Sequence, residues 1–124
     1  RRLFETLDCN YPLGICLDTQ HSFGAGICQW NDAYNIDSFF NEFDSLKHGA
    51  LRLLHLNDSL VGFGSHKDRH GTLGQGFIFS ENDTGLRSIL RNCLQRNIEI
   101  ICETPRDAQF VDWRKICQLM GQMR

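Results

Sequence analysis

Six side chains in this sequence have the types and the placement to hold divalent cations: Asp18, His21, His55, Asp68, His70 and Glu103. Three imidazoles and three carboxylates form a nitrogen-and-oxygen donor set that suits Zn2+, with Mn2+ or Fe2+ as competitors. Without a cation, three carboxylates gathered in one place repel, and at least one is pushed toward its protonated form. With two or more ions the same gathering is favourable. Closely spaced ions activate water and stabilise both the attacking and the leaving oxygens of a phosphoryl displacement. A metal-assisted phosphodiesterase is one natural use of such a set.

Taken one at a time, these residues have plainer uses. Asp18 after a strand is a helix cap or turn former. His55 in an apolar run is a hydrogen-bonded core histidine. Asp68-Arg69-His70 is a solvated charge cluster, and Glu103 before Thr104-Pro105 caps the helix that follows. Those uses leave one coincidence unexplained, which is that the six fall at or just beyond the C-terminal ends of strand-like runs.

The runs are residues 14–18, 51–56 and 98–103. Near-continuous apolar runs of this length suit strands of a parallel sheet. Between and after them the apolar residues recur at three- and four-residue spacing. Residues 36–47 offer Ile36, Phe39, Phe40, Phe43 and Leu46, with Asp37 or Asn35 as cap; residues 84–96 offer Leu86, Ile89, Leu90, Cys93 and Leu94, with Asp83 or Thr84 as cap. Residues 107–120 offer Phe110, Val111, Trp113, Ile116, Cys117 and Met120 after Pro105, and residues 2–7 read as the tail of an earlier helix. His48, beside Gly49, reads as a C-terminal cap.

The order (α)βαβαβα implies an α/β fold with parallel strands joined by right-handed crossovers. If the strands are neighbours, Asp18, His55 and Glu103 meet at one rim. Three parallel strands leave two open edges, so the chain reads as a small remnant or as the last part of a larger α/β barrel. Two connections are long and without visible periodicity, residues 19–35 and 57–82, the second with five glycines. Such loops in a compact domain are usually functional, and α/β folds place their sites at these strand ends.

Composition sets outer bounds. The 124 residues are 41% hydrophobic and 23% charged, which is ordinary globular composition. No apolar run approaches the ~20 residues that span a bilayer, so no membrane partner is expected. A formal charge of −2 does not by itself mark a nucleic-acid binder, although bound divalent ions reverse the sign of an acidic cleft. Cysteines at 9, 16, 28, 93, 102 and 117 form no CxxC pair, which argues against a thiolate zinc site. Cys16 and Cys102 lie in apolar runs where a free thiol acts as a small buried hydrophobe. One or two disulfides are conceivable, and a reducing, intracellular compartment is the better expectation.

Four segments resemble one family. Leu17-Asp18-Thr19-Gln20-His21-Ser22-Phe23-Gly24-Ala25-Gly26 is similar to the LDTxHxFxxG segment of endonuclease IV-type apurinic/apyrimidinic endonucleases. His55-Leu56-Asn57-Asp58-Ser59 resembles their HLND(S) segment, Asp68-Arg69-His70 with Leu73-Gly74-Gln75-Gly76 their DRHxxxGxG segment, and Ile101-Cys102-Glu103-Thr104-Pro105 their terminal LETP. The four come in the right order over residues 14–105.

The resemblance implies the C-terminal portion, about three βα units, of a (β/α)8 TIM barrel with a three-zinc cluster in its mouth. Asp18, His55 and Glu103 would then serve one zinc, with Asp18 and Glu103 at the catalytic centre. His21, Asp68 and His70 would serve another, a set that matches a catalytic zinc with an open position. The implied reaction is hydrolysis of the phosphodiester 5′ to an abasic site in duplex DNA, and Arg69 is the candidate phosphate contact. The family also uses two histidines, a bridging glutamate and duplex-wedging residues from the first half of the barrel, which residues 1–13 do not supply. That half is the expected partner, and the 124-residue chain alone is expected to be weakly active or inactive. Two rivals stand beside this reading: a metal-dependent sugar isomerase or epimerase of the xylose isomerase-like barrels, and a non-catalytic partial barrel that binds a partner or DNA.

Overall fold

The computed structural model describes residues 13–46 and 49–123. The helix read at residues 2–7, Cys9, and the cap at His48 lie outside the described residues. Strands β1 (Ile15–Asp18), β2 (Leu51–His55) and β5 (Glu99–Ile101) form one parallel sheet in the order β1-β2-β5. Helices α1 (Thr19–Gly24), α2 (Ala33–Leu46), α3 (Thr84–Arg96) and α4 (Arg106–Gln122) follow the strands, and β3 (Asp58–Ser59) pairs antiparallel with β4 (His70–Gly71). The βαβαβα reading holds.

Alternation divides the sheet into two unlike faces. Leu17, Leu54 and Ile100 lie in one lateral row and face the helices. There Leu54 packs in a core with Ile36 and Phe40 of α2 and Leu86, Ile89 and Leu90 of α3. Each such side chain stabilises the fold by about 1.5–3 kcal/mol relative to exposure. The other rows, Cys16–Leu53–Glu99 and Asp18–His55–Ile101, turn to the opposite face. Cys16 is therefore exposed and not buried as its apolar run implied, and Cys102 is only half-buried.

The long loops are more ordered than their lack of periodicity implied. Residues 19–24 form α1 because Asp18 Oδ1 accepts the His21 N–H at 2.9 Å and Ser22 Oγ donates to the Asp18 carbonyl at 2.7 Å. A helix of six residues is too short to show an apolar period. Helix α2 starts before residue 36, and its first turn is capped by Asp32 Oδ1, which accepts the Asn35 N–H, rather than by Asn35 or Asp37. Asp37 instead accepts from Ser88 Oγ and Asn92 Nδ2 of α3, tying two helices together. At α3, Asn82 Oδ1 accepts the Thr84 N–H, while Asp83 pairs with Lys115 Nζ at 2.8 Å.

The 57–82 connection is built around a buried carboxylate. Asp58 accepts backbone N–H groups from Ser59, Gly74, Gly76 and Ile78 at 2.8–3.0 Å. Gly76 is required there, since a Cβ would run into the Ser59 carbonyl and the Asp58 carboxylate, and Gly74 has φ +85. Asp112 of α4, also buried, accepts from the Leu73 N–H at 2.8 Å and from Thr104 Oγ1. Among the described residues, Cys16, Cys28, Cys93, Cys102 and Cys117 are free thiols, and no helix is long and apolar enough to cross a membrane.

Candidate metal centre

Register and hydrogen bonds bring all six sequence candidates into one mouth. Asp18 and His55 are lateral partners at the tips of β1 and β2. β5 ends at Ile101, the partner of His55, so Glu103 lies two residues beyond the strand and not at its end. Its carboxylate Oε2 nonetheless sits 2.8 Å from His55 Nδ1. The β3–β4 pairing sets His70 opposite Ser59, which carries His70 back to the tip of β2. Asp68 is held by the stitching of its loop to α1: Gln20 Nε2 donates to the Lys67 carbonyl at 2.9 Å and the His66 N–H to the Gly24 carbonyl at 2.9 Å.

Asp18 combines both of its sequence readings. Oδ1 caps α1, while Oδ2 faces three imidazoles, at 3.7 Å from His21 Nδ1, 3.7 Å from His55 Nδ1 and 3.5 Å from His70 Nε2. Two groups result, Asp18–His21–His70 and Asp18–His55–Glu103, each with ligand atoms within 4.8 Å of one another. Asp68 faces the same imidazoles, 3.2 Å from His21 Nε2 and 3.7 Å from His70 Nε2. The rings of His21 and His70 stand 5.1 Å apart.

These residues fit a divalent cation. His70 Nε2 is buried without a hydrogen-bond partner, a costly state for a polar atom. It looks toward two carboxylates at 3.5 and 3.7 Å, close to the ~3.4 Å that separates two ligands of one tetrahedral zinc. The contact between His55 and Glu103, at 2.8 Å, is closed to hydrogen-bond length. Nearby, partial desolvation of the otherwise exposed Cys16 thiol and then the Asp18 and Glu103 carboxylates push it up from its ordinary value, the carboxylates through the negative field in the mouth.

Arg69 is exposed beside the site and donates from Nη1 to the Asp68 carbonyl at 2.6 Å. His66 and Lys67 are exposed on the same loop. A groove of about 460 Å3 between α3 and α4, lined by Cys93, Ile98, Cys102, Trp113 and Ile116, holds none of the six candidates.

Residues 1–121 match the family described as the xylose isomerase-like TIM barrel. The chain belongs to that family. It is 36% identical over 119 residues to a protein of Methanoculleus marisnigri described as "Probable endonuclease 4", covering 95% of this chain and 41% of that one. A protein of the same description from Akkermansia muciniphila is 38% identical over 118 residues, covering 91% of this chain and 40% of the relative. Among solved structures, endonuclease IV from Thermus thermophilus is similar with a TM-score of 0.72 at 28% identity, over 92% of this chain and 41% of that one. The chain therefore spans about two-fifths of the length of the relatives it matches, as three βα units of a TIM barrel of the endonuclease IV type. Within that barrel family, the Cys16–Leu53–Glu99 row, exposed at Cys16 and Glu99, belongs to the face that would line a closed barrel's interior.

Sequence reasoning did not assign roles to the polar residues beneath the site. Thr19, Asn57, Asp58 and Asp112 are buried and hold the segments that carry the candidate residues. Asn57 and Asp58 stand inside the HLND segment, so their position was visible, but apart from the adjacent Ser59 N–H the side-chain partners are 16 to 46 residues away along the chain.

Proposed function

We propose that this chain forms part of a zinc-dependent DNA repair endonuclease that hydrolyses the phosphodiester 5′ to abasic sites in duplex DNA. The observation that carries the reading is the meeting of His21, His55 and His70 around Asp18 Oδ2, with Asp68 and Glu103 set against the same imidazoles and a buried His70 nitrogen left without a partner. Asp18, His55 and Glu103 would hold one ion, and His21, Asp68 and His70 another; Mn2+ is the competing metal. Bound there, such ions supply Lewis-acid stabilisation of a phosphodiester and activation of water. Asp18 and Glu103 keep carboxylate oxygens aimed into the mouth. The apolar core beneath fixes the strand tips, and the exposed Arg69, with Lys67 beside it, contacts a DNA phosphate.

The names of the relatives favour a DNA substrate over a ketose, the substrate of the sugar isomerase reading. Activity needs further βα units to close the barrel and complete the cluster, because among the described residues the inner sheet face and both sheet edges are open. A DNA repair substrate favours an intracellular compartment.

The test is nicking of an abasic duplex by the 124-residue chain, alone and mixed with the remaining barrel portion of the M. marisnigri relative, with zinc analysis of each. The expected result is zinc-dependent nicking in the mixture, abolished by EDTA and by His70→Ala, and little or none from the chain alone. Robust nicking by the chain alone would overturn the need for closure. Zinc content unchanged by His70→Ala would overturn the site.

A further inference from the structure

We infer that Asn57 is a positioning residue that holds Asp18 and Glu103 at the spacing a cation requires, and so sets the metal affinity of the mouth. The inference rests on the metal reading above and deepens it.

Asn57 is fully buried, and its backbone is clamped on both sides by one hydroxyl. Thr19 Oγ1 donates to the Asn57 carbonyl at 2.6 Å and accepts the Asn57 N–H at 2.9 Å. The side chain is then oriented by the main chain of β5's exit, because Oδ1 accepts the Glu103 N–H at 2.8 Å. That bond decides which end of the amide is which. Nδ2 must point the other way, where it donates to Asp18 Oδ2 at 3.1 Å and approaches Glu103 Oε2 at 3.4 Å. The flipped amide would set its NH2 against the Glu103 N–H and its oxygen against two carboxylates.

Asp18 Oδ2 and Glu103 Oε2 are also the oxygens that face His55. One neutral donor therefore spans the two acidic arms of the Asp18–His55–Glu103 group from below. The neutrality matters. A Lys or Arg there would compete with a cation, and an Asp would add a third like charge. A carboxamide offsets carboxylate repulsion before the ion arrives and leaves each carboxylate further lone pairs for it. Partners of this kind typically govern about 10–100-fold in metal affinity.

The test is Zn2+ titration of the full chain against a competing chelator, comparing the parent with Asn57→Ala, His55→Ala and Asn92→Ala. Asn92 is another buried amide, bonded to Asp37 on the helix side and remote from the mouth. The expected result is a loss of about 10–100-fold in Zn2+ affinity for Asn57→Ala, a loss for His55→Ala, and parental affinity for Asn92→Ala, with far-ultraviolet circular dichroism retained. Parental affinity in Asn57→Ala while His55→Ala is impaired would overturn this inference alone. Parental affinity in His55→Ala would overturn the metal reading and this inference with it.

Should Asn57→Ala fail to fold, the near-isosteric Asn57→Asp keeps the acceptor for the Glu103 N–H and loses the donor. Its Co2+ form should then show a visible spectrum altered from the parent's, because ligand geometry sets that spectrum. An unchanged spectrum would overturn the proposal.

Discussion

The two faces of the three-stranded sheet are made of the same strands and behave as different materials. On the helix side, Leu54 is 0% exposed and lies in a closed apolar core. On the opposite side Ile101 is 47% exposed, Cys16 and Glu99 are exposed, and close packing among the described residues is concentrated in the polar cluster at the strand tips. One face is held mainly by apolar burial, with its few polar groups paired between helices. The other is held at its rim by buried amides, hydroxyls and carboxylates that bring metal-ligand atom types within 4.8 Å of one another. Stability and chemistry are thus separated by strand alternation, with residues one position apart serving one or the other.

The largest break in this comparison should come from the helix face. Leu54→Ala is expected to cost about 3 kcal/mol by cavity formation, read as a shift in the urea midpoint. A cost under ~1 kcal/mol would mean the core is looser than the packing implies. Next comes the polar support of the mouth. Asp58→Asn replaces one acceptor oxygen of a carboxylate that receives four backbone N–H groups. It should cost about 2 kcal/mol and speed amide exchange at Gly74, Gly76 and Ile78; unchanged exchange would show that the loop is held by other contacts.

A third effect is nil at neutral pH. Burial pushes the Cys28, Cys93 and Cys102 thiols from 9.0 to about 12. Unfolded thiols ionise first, so the unfolded chain loses protons while the folded one retains them. Their contribution is intact below pH 9 and is lost as pH rises through about 12. Urea midpoints measured across that window should fall, and a flat profile would contradict the burial. The smallest effect is expected on the open face: Ile101→Ser should change stability of the chain by less than ~0.5 kcal/mol. A larger loss would mean that this face is already covered in solution, by a second copy or another segment.

The strand and helix order was legible because buried parallel strands read as apolar runs and amphipathic helices as 3.6-residue periods, as at residues 51–56 and 84–96. The six candidates were legible as a set because strand ends converge in a βα array. Helix α1 was not, since six residues carry no period, and neither was the cap at Asp32, because several neighbouring Asx residues compete for that helix start; Asp83 does stand at the cap position of α3. Cys16 was misread for a related reason. An apolar strand residue is compatible with either face, and only the sheet's neighbours decide which face is covered.

By itself, the sequence determined which residue types stand at the strand ends and the alternation that carries them there, since these depend on local periodicity and chain order. Only the tertiary structure decided that Asp18 divides its two oxygens between a helix cap and the imidazoles, that His70 is left with a buried nitrogen seeking a partner, and that Asn57 spans both acidic arms. Those outcomes depend on distances between residues up to 52 positions apart, such as Asp18 and His70, and no local pattern encodes a distance across a sheet.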